Sequence, residues 1–259
     1  MLKITVLNDN APGNICGSEH GLSYIVHADK TILFDASPSD IFLKNAQKLN
    51  ISIDSIDTVV LSHGHWDHGN GLKYLSNKIL ITHPDSFQKK YRKKNRSYIG
   101  LPLSEEEAKE KFELILSKKP FKISEQITFL GEIPRTNNFE AQSTGFELEN
   151  GAEDFVLDDS ALAVNTKKGL VVISGCAHSG ICNIIEYARK ITKQTQVYGV
   201  IGGFHLKENN LQTQKTIEYF KQLRISKIYP SHCTALPALS AFYQNFKIKQ
   251  VLSGNIIYF

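Results

Sequence analysis

Cysteine is scarce in this chain: Cys16, Cys176, Cys182 and Cys233 stand far apart among 259 residues and form no CxxC pair. That pattern argues against a disulfide scaffold and for a reducing, cytoplasmic setting. Long apolar runs are missing too. No stretch approaches the roughly 18–20 apolar residues that span a bilayer, and the opening LKITVL of Leu2–Leu7 alternates like a strand without forming a signal-peptide core. No membrane partner is expected. Neither sign of charge is in large excess, with 30 basic against 26 acidic residues and a net charge of +4. This is too little to argue for a nucleic-acid partner, but it favours a small anionic substrate. There is no P-loop, no GxGxxG after the first strand and no GxSxG elbow, so nucleotide-dependent and serine-nucleophile chemistry find no support.

What is present is an ordinary globular composition, 41% hydrophobic and 22% charged, enough for a sizeable core and read as one domain over 1–259. Periodicity predicts strands over Leu2–Leu7, Leu22–His27, Thr31–Phe34 and Thr58–Leu61, with a helix over Ile41–Leu49. The rhythm returns with strands at Leu170–Ile173, Val197–Ile201 and Lys227–Tyr229, and helices over Ile181–Ile191 and Leu211–Leu223. Two α/β halves thus flank a middle, about 84–160, that reads as an irregular insertion over the core. It carries six basic residues within Lys89–Arg96. Such a run is either a solvated helix face or a rim that recruits an anion.

The most informative stretch is Ser62-His63-Gly64-His65-Trp66-Asp67-His68-Gly69, directly after the TVVL strand. It packs three of the nine histidines and a carboxylate into six positions. In a tight loop at a strand end, His63 and His65 can face one metal ion while Asp67 and His68 face a second. Two adjacent sites for divalent transition metals follow, zinc first, with iron or manganese as alternatives.

HxHxDH in this context resembles the metallo-β-lactamase superfamily of metal-dependent hydrolases. Glu19-His20-Gly21-Leu22-Ser23, LSHGHWDHGNGL (61–72), ISGCAHSGI (173–181), GGFHL (202–206) and His232-Cys233-Thr234 narrow the resemblance. They resemble a subgroup named after the archaeal 7,8-dihydropterin-6-methyl-4-(β-D-ribofuranosyl)aminobenzene 5'-phosphate synthase. The resemblance implies an α/β fold, a four-layer αβ/βα sandwich of two mixed β-sheets flanked by helices, with the metals along one edge.

It also implies further metal ligands. Cys176 occupies the position of the superfamily's usual Asp or Cys ligand, and the alternative is a buried, inert residue. His178, two residues on, offers another imidazole or a local hydrogen bond. His232 sits where the final histidine ligand is expected, while Cys233 beside it reads as packing. His205 reads as a proton donor, an orienter or a substrate contact without being an obligatory ligand. His20 is a tentative substrate contact, His83 stands open, and His27 reads as structural. There are two departures. Asp158 and Asp159 stand where many members carry a histidine, so either His178 replaces it or one metal is weakly held. Phe34-Asp35-Ala36-Ser37 replaces the common Asp-Thr-Gly, retaining an Asp with a structural role.

Two metals roughly 3.5–4 Å apart would acidify a bridging water and neutralise charge on a phosphoryl or acyl oxygen. The expected function is therefore hydrolysis of a small anionic substrate, a phosphoester before a lactone or thioester, with Asp67 and His205 as catalytic residues. The alternatives are a transferase like the subgroup's synthase, in which metals hold a pyrophosphate leaving group, and a non-catalytic metal- or nucleic-acid-binding module.

Overall fold

The computed structural model describes residues 1–259, with sixteen strands and six α-helices. In chain order the strands are β1 (Lys3–Asn8), β2 (Ser23–His27), β3 (Thr31–Phe34), β4 (Thr58–Val60), β5 (Lys78–Thr82), β6 (Lys90–Arg92), β7 (Phe112–Leu116) and β8 (Phe121–Lys122). They continue with β9 (Ile127–Phe129), β10 (Phe146–Leu148), β11 (Glu153–Asp154), β12 (Ala161–Thr166), β13 (Gly169–Ser174), β14 (Val197–Gly203), β15 (Lys227–Ser231) and β16 (Ile256–Tyr258). The helices are α1 (Ile41–Lys48), α2 (Trp66–Gly69), α3 (Glu105–Lys111), α4 (Ile181–Thr192), α5 (Leu211–Gln222) and α6 (Leu236–Phe246).

Two mixed sheets form, one in the order β16-β1-β2-β3-β4-β5-β7 and the other β15-β14-β13-β12-β9-β8. Their central strands are buried on both faces, and period-2 alternation sorts side chains between an inner and an outer core. In the first sheet Ile4, Tyr24, Val26, Ile32, Phe34 and Val60 point inward to meet Leu162, Val164, Val171, Ile173 and Ile201 of the second. The intervening Ile25, Leu33, Val59 and Leu80 face outward onto Phe42 and Ala46 of α1 and Ala108 of α3. On the far side Ala163, Val172 and Val200 pack against α4, α5 and α6 through Ile185, Phe220 and Phe242. The layers are therefore helix, sheet, sheet, helix, the architecture that the resemblance implied.

The expected strands and helices of both halves are present, to within a residue or two at their ends. The middle differs from an irregular insertion. β7 runs parallel to β5 at the edge of the first sheet, and β9 and β8 extend the second beyond β12. Only the small sheet β11-β10-β6 stands outside the sandwich. The chain's last strand, β16, pairs antiparallel with β1, Lys3 opposite Tyr258, so the first strand is flanked by the last.

The basic run is not a helix face. It forms β6 and the turn after it, where Lys89, Lys93 and Arg96 pair with Glu149, Glu153 and Glu147 of the β10–β11 hairpin. Lys90 is buried and bonds Asp158 at 2.7 Å and Asp154 at 3.2 Å. Burial alone would lower the Lys90 pKa and raise that of Asp158, but their mutual attraction overcomes it and moves both the other way. The Asp158 contribution is complete above its unfolded pKa near 4 and lost as pH falls through its lowered folded value. Lys90→Ala would leave two buried carboxylates without their cation. Removing one partner of a buried pair costs about 3–5 kcal/mol, so urea unfolding at pH 7 is expected to show a loss of that size. A loss under about 1 kcal/mol, the range of exposed pairs, would contradict this account.

Candidate metal centre

The clustered side chains sit mostly just after the C-terminal ends of strands, on one edge of the two sheets. β4 leads into Ser62–His65 and the single turn α2, which carries Asp67 and His68. β13 leads to Cys176 and His178, β14 to His205, β15 to His232, and β1 to Asp9 and Asn10. The turns are sharp. Asp35, Ser37, Ala177, His205 and His232 all have positive φ, between 47° and 61°, a strained conformation for residues with a Cβ. Gly64 permits close packing, since a Cβ there would meet Ser86 O at 1.9 Å.

The hydrogen bonds fix most of the ring protons. Asp35, wholly buried after β3, accepts from Ser62 N at 2.7 Å, Ser62 Oγ at 2.8 Å and His68 Nδ1 at 2.6 Å. His68 thus carries a proton on Nδ1 and aims Nε2 into the site. Ser62 Oγ, having given its proton to Asp35, accepts one from His63 Nδ1 at 2.9 Å, which leaves His63 Nε2 as a lone pair. Asn10 is oriented by two backbone partners: Gly21 N donates to its Oδ1 and its Nδ2 donates to His232 O. Its Oδ1 therefore accepts from His232 Nδ1 at 3.0 Å, and its Nδ2 donates to His20 Nδ1 at 3.2 Å. His232 is left with a bare Nε2, and His20 donates its Nε2 proton to Asp67 Oδ2 at 3.3 Å.

These assignments make acceptors converge. His68 Nε2 and His232 Nε2 lie 3.1 Å apart, and Asp67 Oδ2 is 3.4 Å from His232 Nε2 and 3.9 Å from His68 Nε2; Cys176, whose thiol burial keeps protonated, lies 3.3 Å from His68 Nε2. Lone pairs this close repel unless a positive charge sits among them, either a proton or a metal cation. Burial would lower the His68 pKa, yet Asp35 and Asp67 overcome it and raise it to about 9. The same two carboxylates favour a cation there.

A second cluster lies alongside. His63 Nε2 is 3.0 Å from His65 Nδ1, and one nitrogen each of His63, His65 and His178 lie within 4.8 Å of one another. Burial holds His65 neutral, its pKa pushed down to about 3, and lowers His63 and His178 as well. His65 Nε2 and His178 Nε2 are buried with no partner, as is His205 Nδ1. Neutral imidazoles with unused buried nitrogens suit a transition-metal ion.

His63, His65, Asp67, His68, Cys176, His178 and His232 are all brought together, with His205 and Cys233 beside Cys176. Cys233 donates its thiol to Cys176 O at 3.3 Å. The side chain of His20 is about half exposed, at 54%, and reaches the cluster through Asp67. His83 stays outside it, capping a short turn by accepting from Asp85 N, and His27 bonds Thr31 at the surface. The two aspartates at the histidine position join none of the clusters. Asp158 is taken by Lys90 and Gly64 N, and Asp159 accepts from Ser179. His178 lies with His63 and His65.

Sequence reasoning missed Asn10 and Ser62, and assigned Asp35 a structural role only. Their signal was position: Asn8-Asp9-Asn10, Asp35 and Ser62 are polar residues directly after buried strands. Asp9 also belongs to this support, accepting from His232 N at 3.0 Å while its own N–H bonds Ser253 Oγ at 3.1 Å.

Comparison with known proteins places this geometry. Residues 17–86 match the family model described as the metallo-beta-lactamase superfamily. The chain is 36% identical to the 7,8-dihydropterin-6-methyl-4-(beta-D-ribofuranosyl)-aminobenzene-5'-phosphate synthase of Methanocaldococcus jannaschii, over 93% of this chain and 90% of that protein. It is 37% identical to MJ0448 of the same organism, an uncharacterized protein, over 93% and 94%. The crystal structure of Tm1679, described as a metal-dependent hydrolase of the beta-lactamase superfamily, superposes with a TM-score of 0.89 at 32% identity, covering 100% of this chain and 99% of that one. With two relatives above 30% identity along nearly their whole lengths, and histidines clustered at the ends of its strands, the chain belongs to the metallo-β-lactamase superfamily.

Proposed function

We propose that the chain is a hydrolase of a small anionic molecule, cutting a phosphoester bond with two divalent transition-metal ions. The observation that supports it is the convergence of His68 Nε2, His232 Nε2 and Asp67 Oδ2, acceptors whose neighbouring protons are accounted for elsewhere. His63, His65 and His178 would hold one ion, and Asp67, His68, Cys176 and His232 the other. Nitrogen and sulfur donors favour zinc or iron. Such cations, when bound, lower the pKa of water and neutralise charge developing on phosphoryl oxygens.

The chain's own groups do the rest. Asp67, steadied by His20 Nε2–H, orients the attacking water with its carboxylate. His205, with its unpartnered Nδ1, lines the pocket that also holds Asp67, His65 and Cys176. It gives a proton to the leaving oxygen as the P–O bond breaks, and the water oxygen stays on phosphorus. A second reading, a synthase, has its own support in the named relative at 36% identity.

Turnover in ¹⁸O-water separates the two. With metal-loaded protein and bis(4-nitrophenyl) phosphate, hydrolysis puts the label in 4-nitrophenyl phosphate. No label, with pyrophosphate released from a phosphoribosyl donor, would overturn hydrolysis in favour of the synthase.

His205→Ala is expected to lower kcat by about 10²- to 10⁴-fold, the usual contribution of a positioned proton donor. Metal content, read by elemental analysis, stays at the wild-type level. Loss of an ion would instead make His205 a ligand with Cys176 and Cys233.

Asp35→Asn tests the hydrogen-bond support separately. Asn tolerates the positive φ at this position, so the fold persists, but the bonds that fix His68 and Ser62 are weakened. Metal affinity, measured by competition with a chromophoric chelator, is expected to fall roughly 10- to 100-fold. Unchanged affinity would separate Asp35 from metal binding.

A further inference from the structure

Beside the inner pocket lies a cavity of about 530 Å³, most of whose walls the proposed reaction does not use. The two spaces share Arg92, Phe146, His178, His205 and Lys207, so the cavity is continuous with the metal centre. A volume between roughly 300 and 1,000 Å³ encloses a whole small molecule, far more than a single phosphate.

Its charge is one-sided. Three cations line it, Arg92, Lys94 and Lys207, and no carboxylate does. The other basic residues of the 89–96 run are neutralised by Glu149, Asp154, Asp158, Glu153 and Glu147. Arg92 and Lys94 alone have no acidic partner, and these two face the cavity. Half-buried Phe139, Phe146 and Phe155 line the same cavity, Phe146 directly across the β10–β6 pair from Arg92. The wall is preformed: buried Glu140 accepts from Cys182 N and Asn183 N at 3.0 Å each, pinning the loop after Phe139 to the start of α4.

We propose that this cavity is the recognition site for the non-reacting end of the substrate, a planar apolar ring carrying a second anionic group, phosphate or carboxylate. The ring lies against the phenylalanines and the anion on Arg92 and Lys94. A guanidinium offers a planar fork to either oxyanion, and aromatic faces accept a ring with little loss of side-chain freedom. The inference takes the position of the reacting bond from the function proposed above; the binding itself does not depend on hydrolysis.

The test is binding to the metal-loaded protein, read by calorimetry and by the fluorescence of Trp66, the sole tryptophan, which lines the inner pocket. The probes are phenylphosphonate, 1,4-benzenediphosphonate and 4,4'-biphenyldiphosphonate. One of the two doubly anionic probes is expected to bind roughly tenfold or more tightly than phenylphosphonate, as a charge-assisted contact allows. In Arg92→Gln/Lys94→Gln, both exposed positions, that advantage disappears; in Lys94→Gln alone, which lines only the outer cavity, it shrinks while phenylphosphonate binds as before. Equal affinities in the wild type, or an advantage that survives in the double variant, would overturn the proposal. Should the advantage behave as expected while no phosphoester is cleaved, the recognition site stands and the hydrolase reading falls.

Discussion

The carboxylate of Asp35 is the constraint on which the centre depends. It is buried between a strand end and the histidine loop, and it accepts three hydrogen bonds, two from Ser62 and one from His68. Those bonds decide which nitrogen of His68 is free and, through the Ser62 hydroxyl, which nitrogen of His63 is free. Without them either ring could turn its protonated nitrogen inward. Asn10 does the same for His232 and His20 from the other side. The proximity of many histidines is therefore not what defines the site. Fixed tautomers are, since they turn a group of polar rings into a set of aimed lone pairs.

Much of the fold was legible because the inner strands obey simple rules. TVVL and LVVI are short apolar runs buried on both faces, and the helices over 181–192 and 211–222 show the 3.6-residue period of a face laid on a sheet. What escaped notice lies at sheet edges and in small pieces. β8 has only two residues and β9 only three, too few for alternation to show. β6 was hidden by its charge, because four of the basic residues around it are partnered by acids distant in sequence. A run of lysines looks solvated until the matching carboxylates, some 60 residues away, are folded onto it.

For the site, residue types and spacing suggested the ligating side chains, but not which of them share an ion or what holds them in place. Asp158 shows why. Its position resembled that of a missing ligand, yet its charge is claimed by Lys90 and the Gly64 amide, and that pairing exists only after the small sheet has folded over the core. The backbone strain at Ala177, His205 and His232 was equally hidden, since positive φ at an Ala or His leaves no mark in composition.

The pairing of β1 with β16 has a consequence for how the molecule comes into being. Asp9 follows β1 and holds the amide of His232, and Asp9 is itself held by Ser253, just before β16. A nascent chain that has just emerged through α6 already carries all seven proposed metal-ligating side chains. It still lacks the segment that seats Asp9, so β1 has an open edge and His232 an unsupported turn. Contacts across nearly the full sequence close late and slowly. The centre would therefore become complete only once β16 has paired with β1, and until then the open edge of β1 is a surface to which another unfinished chain could add a strand.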